Sequence, residues 1–337
     1  MFTRERVDLH LPTSWNAATT AELEVVARCF RHEAERAARG KAYDVAAAKV
    51  EAFFLLTELE VVAPANPVVP VEDQYYLVRR TPKHKGLLRW LRDRDNEPFA
   101  LYLYQIEQWT REELKWLDGT SRLTLFPYAH VWRRLRRFQG PQPLMADFTW
   151  TQFRMAGDAM TYYVQQANRL EHMRRQQAAG RGSDVASLMP SHEMRKQMRQ
   201  VSKAKGMFLA TIFSQRRKFV DSETKRLRRD WRYVSNQSTD NAELFRNVSD
   251  VRWQVVLWWW EGMMQYLAAK YSKVYKKGGT EKSGGNVLDV YTRTVATMEK
   301  YLGMDDEQIG RQPYTVVLQH LNDMIEQSEE IERASRK

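Results

Sequence analysis

Residues 250–271 read DVRWQVVLWWWEGMMQYLAAKY, and their large apolar side chains recur at the spacing of an α-helix. Six of them follow one another at intervals of three or four residues: Trp253, Leu257, Trp260, Met264, Leu267 and Tyr271. This period places them in one stripe along a helix from about Val251 to Tyr275, with Asp250 at its start. A helix with such a stripe buries it against other elements, so the segment predicts a mainly helical protein.

The consecutive residues Trp258, Trp259 and Trp260 spread over much of the circumference of this helix. At least one of these rings therefore faces something other than the main core. The segment is either a core helix of its own domain or a surface for an apolar partner helix. In the second interpretation, the partner-binding residues are Trp253, Trp258, Trp259, Met263 and Tyr266. Replacing Trp258 and Trp259 by alanine would then weaken partner capture and preserve helix content, whereas loss of the fold would place them in the core.

Other helices are predicted from their N-terminal signals. Thr19 and Glu22 form a capping box that opens a helical hairpin, whose second helix runs from about Tyr43 to Val62. Thr149 opens a long helix, and Pro313 is well placed to begin the last one. The predicted fold class is all-α, built of bundle-like subdomains, with at most a small β element near residues 71–80.

Composition shifts and Pro- or Gly-rich stretches divide the 337 residues into four predicted segments. Residues 1–62 form the helical hairpin, and residues 63–140 hold a linker, a small extended element and short helices. Residues 141–234 hold a long helix and a basic amphipathic segment, and residues 235–337 form a Trp-rich helical domain. Within the second segment, Trp132, Leu135 and Phe138 fall three residues apart, which predicts a helix with arginines on its other faces.

The net charge of +11 is concentrated between Ser191 and Tyr233, where 13 Lys or Arg face 4 Asp or Glu. The interspersed apolar residues predict an amphipathic helix, whose charges are either a solvated surface or a binding site for an anionic partner. One candidate is nucleic acid, with Trp231 or Tyr233 stacking on a base. The candidate phosphate contacts are Arg216, Arg217, Lys218, Lys225, Arg226, Arg228, Arg229 and Arg232.

The motifs of common enzyme classes are missing from the sequence, so we expect no catalytic residues, no cofactor and no metal. The glycine-rich loop at residues 279–285 lacks the lysine of a phosphate-binding loop, and the histidines lack the spacing of zinc ligands. The single cysteine, Cys29, lies in an apolar stretch and reads as a small buried hydrophobe. With no disulfide framework, signal peptide or membrane span in the sequence, we expect a bacterial cytoplasmic location or a place in a virion.

Two short motifs resemble bacteriophage tail proteins. Residues 11–16, LPTSWN, followed by residues 19–23, TTAEL, resemble the opening of small tail-assembly proteins. Residues 302–309, LGMDDEQI, followed by Pro313 and Tyr314, are similar to the last helices of tail assembly chaperones. The chain departs from those chaperones in its length and its basic middle. The resemblance implies a non-enzymatic phage or prophage tail-assembly factor that binds partner helices, such as those of a tape-measure-like protein; the alternative is a nucleic-acid-binding protein.

Overall fold

The computed structural model describes residues 11–38, 41–66, 68–70, 73–81, 98–179, 191–220, 227–232, 237–275 and 303–336; for 178–179, 216–220, 227–232 and 237 it describes the backbone alone. Over these residues the chain is mainly helical, which confirms that part of the predicted fold class. It forms two compact units, the first from residues 1–127 and 250–262, the second from 128–249 and 263–337. These bounds differ from the four consecutive segments predicted, because residues 250–262 join the first unit.

The first unit begins with the predicted helical hairpin, formed by α1 (Thr20–Ala38) and α2 (Val45–Leu56). The capping box before α1 is complete: the backbone N–H of Thr19 donates to the Glu22 carboxylate at 2.7 Å, and the N–H of Glu22 donates to the Thr19 hydroxyl at 3.3 Å. Asp44 caps α2 by accepting from two backbone N–H groups.

The predicted extension of the second helix to Val62 is wrong. Helix α2 ends at Leu56 with Thr57 as its C-cap, and Glu58 has a φ of +55°, which turns the chain out of the helix. Residues Leu59–Ala63, which include two consecutive valines, form strand β1 instead. Strands β2 (Tyr75–Arg80) and β3 (Phe99–Tyr102) complete an antiparallel sheet in the order β1-β2-β3, so the predicted β element near residues 71–80 is β2. Helix α3 (Leu103–Glu112) follows β3 directly.

The second unit contains a second sheet and most of the long helices. Strands β4 (His130–Arg133), β5 (Arg136–Gln139), β6 (Ser214–Val220) and β7 (Leu227–Arg232) form an antiparallel sheet in the order β4-β5-β6-β7. The helices are α4 (Trp150–Ala179), α5 (His192–Ile212), α6 (Gln237–Phe245), the last residues of α7 (Asp250–Lys270), α8 (Asp306–Arg311) and α9 (Tyr314–Ser335). β structure therefore extends well beyond the one small element expected.

Two segments of the second unit are strands where the sequence pattern predicts helix. Residues 131–138 form a β-hairpin, in which Val131 lies opposite Phe138 and Trp132 opposite Arg137. The basic amphipathic helix predicted from Ser191 onward ends at Ile212, and the chain continues as β6 and β7. The three-residue spacing of Trp132, Leu135 and Phe138 fits a helix locally, but pairing with β6 stabilises the extended form.

The helix starts at Thr149 and Pro313 are confirmed. The N–H of Gln152 donates to the Thr149 hydroxyl at 3.2 Å, and Pro313 is the N-cap of α9. The turn before α9 is α8, whose N-cap Asp305 accepts from the N–H of Gln308 at 2.7 Å. These local hydrogen bonds satisfy helix N–H groups that have no partner within the helix itself.

Candidate nucleic-acid interface

The excess of positive charge lies in one stretch of the second unit. The first unit holds 19 Lys or Arg against 21 Asp or Glu, so it carries a net charge of −2. Residues 128–249 hold 23 Lys or Arg and 10 Asp or Glu, whereas residues 263–337 hold 11 of each sign. A stretch with a net charge of +13 attracts anionic partners and raises their local concentration.

The β4-β5-β6-β7 sheet, hereafter the basic sheet, joins two arginine-rich stretches that are far apart in the sequence. Strand β5 pairs with β6 through Phe138 opposite Gln215 and Gln139 opposite Ser214. The four strands contain nine Lys or Arg and one acidic residue, Asp230. The sheet therefore gathers cationic residues on one element, as a surface for a polyanion requires.

The β4–β5 hairpin is anchored to the unit through its inner face. Phe138 is fully buried, and its ring centroid lies 5.1 Å from that of Phe245. Phe213 stacks on Phe245 at 5.2 Å, and the Arg133 guanidinium lies over the same ring at 5.8 Å. These contacts hold the hairpin by large buried aromatic surfaces and a cation–π interaction.

The outer face of the hairpin is basic and aromatic. Trp132 is 64% exposed, and Arg137, directly opposite on β5, is also exposed. Directly opposite residues of an antiparallel pair share one face of the sheet. Arg134 and Arg136 at the hairpin tip are exposed as well. Within the part of the chain that the structure describes, no carboxylate forms an ion pair with Arg134, Arg136 or Arg137.

Six of the eight basic residues predicted to contact phosphates lie in this sheet. Arg216, Arg217 and Lys218 are in β6, and their Cα partners in β7 are Trp231, Asp230 and Arg229, respectively. Arg228 and Arg232 also belong to β7. Two predicted residues, Lys225 and Arg226, lie outside the described residues, as do Tyr233 and the glycine-rich loop at 279–285.

Sequence reasoning missed the contribution of the β4–β5 hairpin to this surface. The sequence pattern predicts a helix for the arginines of residues 133–137, and it contains no sign that they lie beside the basic segment that begins at Ser191. The available signal was the density of charge, with four arginines in five residues around Leu135. The pairing of β5 with β6 has no local signature, because it joins residues that are 75 or more positions apart.

The five predicted partner-binding residues are divided by their burial. Trp253, Trp259 and Met263 are buried, which supports the interpretation of these three residues as part of the protein's own core. Trp258 is half-buried within the first unit, where its ring makes edge contacts with Trp15 at 5.2 Å and Phe30 at 6.1 Å. Tyr266 is half-buried in the second unit, and the Lys270 ammonium lies 5.9 Å from its ring centroid.

A separate cleft of about 860 Å³ lies within the first unit, between α2, α3 and the smaller sheet. Lys49 at its wall is buried and forms an ion pair of 2.6 Å with Asp118. Arg36, Glu51 and Glu107 also line the cleft, so its wall contains both cations and anions. Neither charge sign dominates, and the cleft therefore has no clear preference for an anionic or a cationic ligand.

Cys29 is fully buried in α1, which confirms its predicted burial. Burial, with Glu51 as a lesser cause, raises the pKa of its thiol to about 12. The thiolate is the reactive form, and at pH 8 it is a very small fraction of a thiol with such a pKa. We therefore expect Ellman's reagent at pH 8 to titrate no thiol in the folded protein and one thiol after denaturation. Rapid reaction in the folded state would show that Cys29 is accessible.

Comparison with known proteins adds no relationship: no family model, no curated protein and no solved structure matches this chain. No group of three or more His, Cys, Asp or Glu side chains is placed to hold a metal ion, as far as the structure describes the chain. Across the same residues, every helix is too short or too polar to cross a lipid bilayer.

Proposed function

We propose that this chain binds nucleic acid, and that the basic sheet is its interface. The observation that carries the proposal is the β5–β6 pairing, which unites the arginines of residues 133–137 with those of β6 and β7. Their charge and the exposed Trp132 are complementary to phosphates and bases.

The interaction that we infer has two parts. The guanidinium groups of exposed arginines donate charge-assisted hydrogen bonds to phosphate oxygens, frequently two at a time. In the described part of the chain no carboxylate pairs with Arg134, Arg136 or Arg137, and their exposed guanidinium groups are therefore accessible to an external anion. An aromatic ring such as Trp132 offers stacking to any base, so the sheet is suited to binding with little sequence preference.

A salt titration tests this function. We expect the protein to bind a fluorescein-labelled oligonucleotide of roughly 20 nucleotides, longer than a typical binding site. Affinity should fall steeply with salt, because each phosphate contact releases counterions. In Arg136→Gln/Arg137→Gln, the slope of log affinity against log salt should become shallower by about 1.4 for single-stranded DNA, the loss of two contacts. Fluorescence anisotropy at several salt concentrations measures both quantities.

The matched control is Arg28→Gln/Arg122→Gln. Both arginines are exposed in the first unit, and the control changes the net charge by the same amount. We expect its affinity and its salt slope to stay close to those of the unmodified protein. The proposal is wrong if the unmodified protein fails to bind at low salt, or if the two double variants lose the same affinity.

Tail assembly, the function implied by the terminal resemblance, stays a prediction. Three of its five candidate binding residues, Trp253, Trp259 and Met263, are buried, so of the predicted set only Trp258 and Tyr266 offer exposed area to a partner helix. A pull-down from native cells, with and without nuclease, separates the two functions. A helical protein recovered regardless of nuclease favours assembly, whereas nucleic acid lost at moderate salt favours the basic sheet.

A further inference from the structure

The tip of the β4–β5 hairpin has an unusual backbone. Arg134 and Leu135 form a two-residue turn between Arg133 and Arg136, and their φ angles are +45° and +64°. A turn with positive φ at both central residues favours Asn-Gly, because Cβ crowds the following carbonyl oxygen there, glycine has no Cβ, and the short asparagine side chain offsets the cost by local hydrogen bonds. Neither Arg nor Leu relieves that crowding, so the turn residues are not the ones that stability alone would select.

The same tip exposes two large apolar side chains. Leu135 is 96% exposed, and Trp132, two residues before the turn, is 64% exposed. Single exposed apolar residues are ordinary, but two on one short hairpin offer apolar area to a partner. Arginines surround these two side chains. An apolar groove on a protein partner does not fit this tip, because it would leave the arginine charges unpaired.

The arginines and the buried base of the hairpin determine which partner fits. Phe138 and Arg133 hold the hairpin against Phe245, so the tip is presented on a fixed support. Trp132 and Arg137 lie opposite each other on the outer face. The Trp132 ring can stack on a base while the Arg137 guanidinium binds the neighbouring phosphate. A base with its phosphate is the repeating unit of a nucleic acid strand.

We propose that this tip binds unpaired bases, with one base stacked on Trp132 and the next packed against Leu135. The proposal rests on the nucleic-acid-binding function and names its ligand as single-stranded nucleic acid. In a continuous duplex the faces of the bases are covered by their neighbours, so only a single strand or an opened region offers them to Trp132. Arg137, opposite Trp132 on the outer face, supplies the phosphate contact next to the stacked base, and the exposed Arg134 and Arg136 at the tip contact the flanking phosphates.

The test compares Trp132→Ala with Trp132→Phe. Stacking on one aromatic ring accounts for a loss of roughly 5- to 150-fold when the ring is removed. We expect Trp132→Ala to weaken binding of single-stranded DNA by about 10-fold or more and to leave binding of the blunt duplex of the same sequence nearly unchanged. Trp132→Phe should retain most of the single-strand affinity, since it keeps an aromatic face.

A second variant separates binding from folding. Leu135→Gly removes the exposed side chain and relieves the positive φ, so we expect a higher midpoint of thermal unfolding together with weaker single-strand binding. A residue with a purely structural role would not change the two quantities in opposite directions. The matched control is Leu144→Gly, because Leu144 also has a positive φ, of 55°, and is 37% exposed. It should leave binding unchanged.

The outcomes distinguish the two proposals. If Trp132→Ala and Leu135→Gly bind single strands as well as the unmodified protein does, this inference is wrong, whereas Arg136→Gln/Arg137→Gln still tests the broader function. Equal losses on single-stranded and duplex DNA would also overturn it. If the unmodified protein binds vesicles of anionic phospholipid through Trp132 and Leu135 and binds no oligonucleotide, both proposals fail, and the tip contacts a membrane surface.

Discussion

Replacing Trp259 by alanine is expected to lower the free energy of unfolding by about 3–5 kcal/mol, the range for deleting a large buried ring. Trp259 is fully buried, and its ring centroid lies 4.7 Å from that of Phe126 and 6.0 Å from that of Trp260. The deletion leaves a cavity among aromatic rings that cannot close around it without losing their own contacts. Urea denaturation followed by circular dichroism measures the change.

Two further variants make this result specific. Trp259→Phe keeps an aromatic ring and removes an indole N–H that has no hydrogen-bond partner among the described residues, so its loss should be clearly smaller. Trp258→Ala should also cost less, because Trp258 is only half-buried. A Trp259→Ala protein within about 0.5 kcal/mol of the unmodified one would behave as a surface variant. That outcome would contradict a core position for Trp259 and favour the partner-binding role predicted from the sequence.

Replacing Gly206 by alanine is expected to lower the free energy of unfolding by about 1–3 kcal/mol, the usual cost of overpacking. Gly206 lies in α5 where α6 crosses it, and an added Cβ would come within 2.3 Å of the Ala242 carbonyl oxygen. The atom in the way belongs to the backbone, so the two helices must move apart to admit the methyl group. Thermal unfolding monitored by circular dichroism at the helical signal reports the loss.

Gly157 provides the control for this substitution. It lies within α4, and an added Cβ would meet no atom within 4 Å. Gly157→Ala should therefore stabilise the protein by about 0.5–1 kcal/mol, because alanine loses less backbone entropy in a helix than glycine does. Opposite signs for the two Gly→Ala changes are the expected result. Stabilisation by both would show that α5 and α6 do not pack as closely as the structure has them.

The candidate site was only partly predictable from the sequence. The charge of β6 and β7 was evident in the sequence, because charge density does not depend on secondary structure. The same residues were expected on a helix, since the apolar spacing before Ile212 is helical and nothing in residues 213–232 excludes its continuation. The sequence did not predict that Trp132 and the β4–β5 arginines belong to the interface. They join it through the pairing of β5 with β6, which lie far apart in the chain.

The sequence by itself determined the features that depend on neighbouring residues. The helix starts at Thr19, Thr149 and Pro313 were predicted, because capping and proline geometry act over three or four residues. The helix over residues 250–270 was likewise determined by its apolar period. These local interactions have the same geometry wherever the helix is placed.

Only the tertiary structure decided which side chains are buried and which strands pair. Three consecutive tryptophans in α7 are equivalent as sequence, yet Trp259 is buried fully because Phe126 packs on it, and Trp258 only in part. Residues 131–138 satisfy a helical period and lack a preferred turn sequence, but pairing with β6 together with burial of Phe138 against Phe245 stabilises the hairpin. The free energy of both choices comes from residues far away in the chain, which a local pattern does not contain.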